Sequence, residues 1–203
     1  MGGYLTYTEY KDSEVEWIEK IPSHWNCTKL RFLLLESLAN GLFKKKDEWG
    51  SGTRIVNVFD VYSEDDLVNE KSLDRVECSE LEAERYSAQH GDFFFVRSSL
   101  KLEGIGKSAT LLNPKEAMVF ECHLVRGRPD LASVSPEFLN YYLNSYLARQ
   151  NLVSRANQVT MTTIDQSKFK NLSVSLPKLN EQRSIARFLD YKTAQIDALI
   201  AKK

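Results

Sequence analysis

Between residues 171 and 176 apolar and polar side chains alternate. Leu172, Val174 and Leu176 fall on one face and Asn171, Ser173 and Ser175 on the other, a period of two that predicts a strand. Pro177 ends it, because proline has no N–H for a ladder. From Asn180, read as an N-cap, the spacing changes to alternating steps of three and four: Gln182, Ile185, Leu189, Lys192, Ile196 and Leu199. Phe188 and Ile200 widen the stripe. This is a heptad seam with polar residues at two positions, the pattern of a helix that docks on another helix. The rest of the chain offers no evident partner for it. The expected organisation is therefore a globular body, residues 1–179, and a docking helix, residues 180–203.

The body's pattern is one of short elements. Trp17 to Trp25 brackets Pro22 with two tryptophans, which suits an arm pinned to a core. Leu30 to Leu35 is an apolar run interrupted by Arg31, and its helix or strand state is open. Arg54 to Val58 predicts a strand, and Ser79 with Glu82 has the capping-box spacing of a surface helix running to Ala88. Gly91-Asp92 marks a turn before Phe93-Phe94-Phe95-Val96, a run that predicts a strand buried on both faces. Ala109–Leu112, Met118–Phe120 and Cys122–Val125 predict further strands. Ser135-Pro136 opens a helix whose buried face is Phe138, Leu139, Tyr142, Leu143, Tyr146 and Leu147. Thr163 and Gln166 predict a second capping box before a short helix through Phe169. The fold class is α/β in the broad sense (α+β): a mixed, mostly short-stranded sheet flanked by helices, with a protruding coiled-coil-type helix at the end.

Composition adds exclusions. With 203 residues, 42% hydrophobic and 27% charged, the chain suits one globular domain. No apolar run approaches the roughly 20 residues of a membrane span, and the N-terminus lacks a signal-peptide layout, so a cytoplasmic location and no membrane partner are expected. Cys27, Cys78 and Cys122 are scattered without metal-ligand spacing, so no metal site is expected. The net charge is −1, but its distribution is uneven. Residues 60–84 hold ten acids against Lys71 and Arg75, whereas from Lys168 onward eight bases face three acids. Such a chain can still present a positive surface to phosphates.

Catalytic motifs fail one by one. Gly104-Ile105-Gly106-Lys107-Ser108 ends like a P-loop but lacks the first glycine and leads into a strand. Asn113-Pro114-Lys115-Glu116 lacks the second proline and the aromatic of an amino-methyltransferase loop. Pro129-Asp130 has no acid-x-Lys pair close behind it for a nuclease magnesium site, the next being Asp190-Tyr191-Lys192 in the terminal helical seam. Cys122-His123 read as strand neighbours would point to opposite faces. No catalytic residue is assigned.

Recognition chemistry remains. The loop after the apolar run carries Arg97, Ser98, Ser99, Lys101 and Lys107, and a second loop carries Arg155, Asn157, Gln158, Thr160 and Thr162. Arginine pairs with guanine, Asn and Gln with adenine, and serines and lysines with phosphates. Lys44, Lys45 and Lys46 form a third candidate contact.

Four stretches then carry a likeness: Trp17 to Trp25 (WIEKIPSHW); Gly91-Asp92, the apolar run and Arg97; Gln158 to Ile164 (QVTMTTI); and Leu176-Pro177 followed by Asn180-Glu181-Gln182-Arg183-Ser184-Ile185, continued by Leu189-Asp190 and Ile196 to Ile200. The chain resembles the DNA specificity (S) subunit of type I restriction–modification enzymes, specifically one target-recognition domain and the start of one conserved spacer helix. The resemblance implies that the body reads one half of a split double-stranded DNA target. The helix would pair with a second spacer helix, from the same subunit or a second copy, through Ile185, Phe188, Leu189, Ile196, Leu199 and Ile200. It also implies modification (M) subunits as partners and, through them, restriction (R) subunits. S-adenosylmethionine, ATP and Mg would then belong to those subunits, with no cofactor in this chain. The family's usual subunit has two such domains, so the chain is expected to be a fragment or a half-subunit. The alternative is an assembly subunit that docks proteins without reading bases.

Overall fold

The computed structural model describes residues 7–158 and 162–202, with Gln158 described by its backbone alone. The helices are α1 (Glu80–Arg85), α2 (Pro136–Asn144), α3 (Tyr146–Val153), α4 (Gln166–Lys170) and α5 (Leu179–Ile200). Strands are named by their residues.

The strand Phe93–Val96 is the middle of the molecule. It lies in a four-stranded antiparallel sheet of order Ser108–Thr110, Phe93–Val96, Leu124–Gly127, Ala39–Asn40. Its unbroken apolar sequence hides a period of two. Phe93 and Phe95 enter one core with α2, α3, α4 and Val174, while Phe94 and Val96 enter another with Met118, Phe120 and Leu124. Phe95 stacks on Phe169 of α4 at 4.2 Å between centroids, and Phe94 meets Phe120 at 5.5 Å. Each buried phenylalanine contributes about 1.5–3 kcal/mol, so this strand ties the two cores together.

A second four-stranded sheet has the order Asp74–Val76, Trp49–Val56, Met118–Phe120, Ser87–Ala88, with its central pair parallel. The arm at the start of the chain is pinned as its tryptophans suggest, Trp17 packing on the first core. Asn26–Lys29 pairs with Ser173–Leu176, and this two-stranded ribbon leads into α5. Instead of one mixed sheet, the described residues form five small ones. Short strands separated by turns cannot hydrogen-bond continuously across the body, so each ladder closes locally.

Several local expectations change. Leu30–Leu33 is a 3-10 turn, and the strand expected at Arg54 begins at Trp49. Ser79 does cap α1 in a capping box with Glu82, but the helix stops at Arg85 and Ser87–Ala88 is strand. The helix opened by Ser135 breaks at Ser145, whose hydroxyl starts α3 by accepting from the Ala148 N–H. Tyr146 and Leu147 are consequently exposed, and Ala148 and Leu152 are buried in their place. Thr163 is strand, so α4 begins after Asp165 without a side-chain cap. Ser173 and Ser175 are buried along with Val174, because Lys29 donates to the Ser173 hydroxyl at 2.8 Å and Tyr142 to the Ser173 carbonyl at 2.9 Å.

Candidate nucleic-acid interface

Where Phe93–Val96 leaves the core the chain passes into Arg97 and the two-residue strand Ser98–Ser99. That strand pairs antiparallel with Thr162–Thr163, which pairs with Asn157–Gln158. Two polar segments that sequence treats as separate loops thus become one three-stranded ledge. Arg97 sits at its edge with its backbone fixed on both sides. Its N–H donates to the His123 carbonyl at 3.1 Å and its carbonyl accepts from Ile164 at 3.0 Å. Among the described residues the Arg97 guanidinium has no hydrogen-bond or ion-pair partner. Ser98 Oγ lies 3.1 Å from His123 Nδ1, and Ser99 Oγ accepts from the Lys101 N–H at 3.1 Å. Lys101, Arg155 and Asn157 are exposed, Thr162 is buried, and Thr160 lies outside the described residues. The ledge therefore offers Arg97, Lys101, Arg155 and Asn157 to a ligand, with Ser98 beside them.

Two other expected contacts are engaged within the fold. The Lys44 side chain is only 6% exposed and bridges Glu48 and Glu82, each at 3.0 Å. Those pairings, with Glu82 first, hold its amine above the ordinary lysine range. Lys107 forms an ion pair with Asp66. Lys45 and Lys46 remain exposed. A cation already paired in a partly buried site has little charge to offer a phosphate, so these two lysines differ from the ledge's cations.

The turn beside the ledge also corrects the sequence picture. Cys122 and His123 lie in a turn, not a strand. With Glu121 they bring potential metal-ligand atoms within 4.8 Å of one another. Burial pushes the Glu121 carboxyl up, and Glu121 also accepts from the Val58 N–H at 3.2 Å. Three consecutive residues on one turn come together through local geometry alone. His123 is the residue that sequence reasoning missed here, since it becomes part of the ledge only through Ser98. Gln166, expected to close a capping box with Thr163, instead donates its amide to the Asn40 side chain at 3.0 Å across 126 positions.

The Gly-Asp turn has a structural role. Asp92 is fully buried and accepts Nε and Nη2 of Arg128, both at 2.9 Å, and also the Gln89 N–H. This bidentate pair fixes the turn that enters Phe93–Val96. Glu181 and Gln182, in the first turn of α5, hold the root of that helix. Gln182 is fully buried; its Oε1 accepts from Ser135 N at 2.8 Å, and its Nε2 donates to Pro177 and Ser133 carbonyls at 2.9 and 3.2 Å. Glu181 accepts from Tyr7, Trp25 and His24 at 2.7, 3.0 and 2.9 Å. Burial opposes its charge, but these hydrogen bonds outweigh it and hold the carboxyl below its ordinary value of 4.5.

The helix thus has an intramolecular partner over its first turns, contrary to the expectation of none. Gln182 is an inward anchor and not part of an open seam, and Ile185 packs on the first core. The helix begins at Leu179, so Asn180 lies inside it. Farther along, Asp190 accepts from Tyr141 at 2.7 Å. Leu189 is half-buried, whereas Phe188, Ile196, Leu199 and Ile200 are exposed.

Residues 34–203 match the family model described as the type I restriction modification DNA specificity domain. The chain belongs to this family. This specificity domain is 28% identical over 187 residues to the type I restriction enzyme EcoKI specificity subunit of Escherichia coli K12, covering 91% of this chain and 40% of that one. It is 26% identical over 179 residues to the StySPI specificity subunit of Salmonella potsdam, covering 86% and 37%. The HsdS subunit from Thermoanaerobacter tengcongensis has a similar fold, with a TM-score of 0.64 at 20% identity over 95% of this chain and 42% of that one. The specificity domain therefore spans about 40% of the length of these relatives. Among its described residues no helix is long and apolar enough to cross a membrane.

Proposed function

We propose that this specificity domain reads one half of a bipartite double-stranded DNA target, directing methylation and cleavage carried out by other subunits. The observation that carries this reading is the ledge. Asn157–Gln158, Thr162–Thr163 and Ser98–Ser99 join in one sheet beside a guanidinium that has no partner among the described residues. Arg97 is suited to a guanine edge, and Asn157 to an adenine edge. Lys101 and Arg155 suit the phosphates that set register. Lys45 and Lys46 extend the candidate surface, while Lys44 and Lys107 support the fold.

In this reading the chain is not itself an enzyme. S-adenosylmethionine, ATP and Mg belong to modification and restriction subunits, and the exposed end of α5 meets a second spacer helix from the same subunit or another copy. The test is enrichment from a randomised duplex library by the chain assembled with a modification subunit. A defined half-site should emerge. Arg97→Ala should weaken the enriched duplex by about 1–3 kcal/mol more than random duplex, the scale of one bidentate base contact. Enrichment of no sequence would refute base reading and leave a protein-docking subunit.

A further inference from the structure

The loop from Arg97 to Lys107 is an excursion between two core strands. It is closed at its base by Gly106 N–H to Val96 carbonyl at 2.9 Å and Val96 N–H to Lys107 carbonyl at 3.0 Å. Its outer limb, Ser98–Ser99, forms the edge of the ledge. Its inner limb, Leu102–Gly104 and Ile105, contains two carbonyls that meet one side chain from a distant helix. Arg149 of α3 donates Nη1 to the Ile105 carbonyl at 2.5 Å and Nη2 to the Glu103 carbonyl.

The approach is close. Gly106 has φ +68°, and a Cβ there would come within 3.1 Å of Leu152 and 3.3 Å of Arg149 Nη1. On the other side the loop is held by the Lys107–Asp66 pair. Ser99 Oγ and Tyr62 OH crowd Gly104, each 2.4 Å from where its Cβ would lie. A guanidinium can serve two carbonyls with separate N–H groups of one rigid fork, which a lysine ammonium cannot reproduce.

We infer that Arg149 is a positioning residue for DNA reading: its fork across Glu103 and Ile105 sets the inner limb so that Ser98–Ser99 and Arg97 are presented in register. This rests on the DNA-reading proposal above. It also separates Arg149 from the ledge's cations, since its guanidinium is directed into the protein and desolvation there favours its neutral form.

The test compares wild type, Arg149→Gln and Arg149→Lys in the full chain assembled with its modification subunit. Affinities for the enriched duplex and for random duplex are measured across a salt series, and hydrogen exchange of residues 98–107 is followed without DNA. Arg149→Gln should lose roughly tenfold on the enriched duplex, the order of one misplaced base contact. Its random-duplex affinity and salt slope should hold, with faster exchange in the loop. Arg149→Lys should fall between the two, and it decides the matter alone if the glutamine variant does not fold. Equal losses on both duplexes, with a salt slope smaller by about one charge, would make Arg149 a phosphate contact and overturn the proposal. Faster exchange with unchanged discrimination would overturn it too, leaving a purely structural role. A wild-type chain that enriches no duplex would instead bring down the DNA reading, and this assignment with it, while the exchange data would still report the fork.

Discussion

The two ends of α5 follow the same spacing of apolar residues and meet opposite surroundings. At the root, Gln182 is fully buried and Ala186 is 3% exposed against the body. At the tip, Ile196 is 55%, Leu199 65% and Ile200 65% exposed. Periodicity says that a helix face wants covering. It does not say what covers it, or that the cover at one end consists largely of polar partners.

This contrast can be broken most severely at the root. Gln182→Ala removes the partners of one buried N–H and two carbonyls, and the cost should be about 2–3 kcal/mol, read as a lower urea midpoint at unchanged slope. The same substitution should leave the remaining turns of α5 helical by circular dichroism.

Glu181→Gln is expected to act less, and in a pH-dependent way. The folded carboxyl lies below its ordinary 4.5. The carboxylate therefore stabilises the fold above about that pH, and its contribution is lost as pH falls through the lower folded value. The wild-type melting temperature should drop between pH 6 and pH 3 by more than that of the variant. Equal drops would show that the Tyr7, Trp25 and His24 contacts give the carboxylate no net preference.

The smallest effect belongs to the tip. Leu199→Ser with Ile200→Ser should change the stability of the chain alone by no more than about 0.5 kcal/mol, as for exposed sites. It should nonetheless reduce association with a second spacer helix, measured by sedimentation. A large loss of stability in the isolated chain would mean that the tip, like the root, rests on the body.

The core and the ledge differ in how far sequence could reveal them. Phe93–Val96 was legible because four apolar residues bounded by Gly91-Asp92 leave few alternatives to a doubly buried strand. Ser79–Glu82 was legible because a capping box is a local hydrogen-bond pattern. The ledge was legible only in part. Its residues stood out by type, but Ser98–Ser99 and Thr162–Thr163 are more than sixty positions apart, and two polar residues carry no periodicity to announce a strand. Lys44 and Arg97 look alike in sequence as bases in polar stretches. Glu82 pairs with one, and no described residue pairs with the other.

By itself, the sequence determined the family likeness, the apolar centre, the order of short elements and the amphipathic helix at the end, since these follow from local spacing and side-chain type. Tertiary structure decided which cations remain open to a ligand and which loops share a surface. It also decided that Arg149 is engaged by the carbonyls of Glu103 and Ile105, and that the root of α5 buries Gln182 and Ala186 while Ile196, Leu199 and Ile200 stay exposed. Each of these depends on partners distant in the chain, and neither charge nor periodicity encodes which partner will arrive.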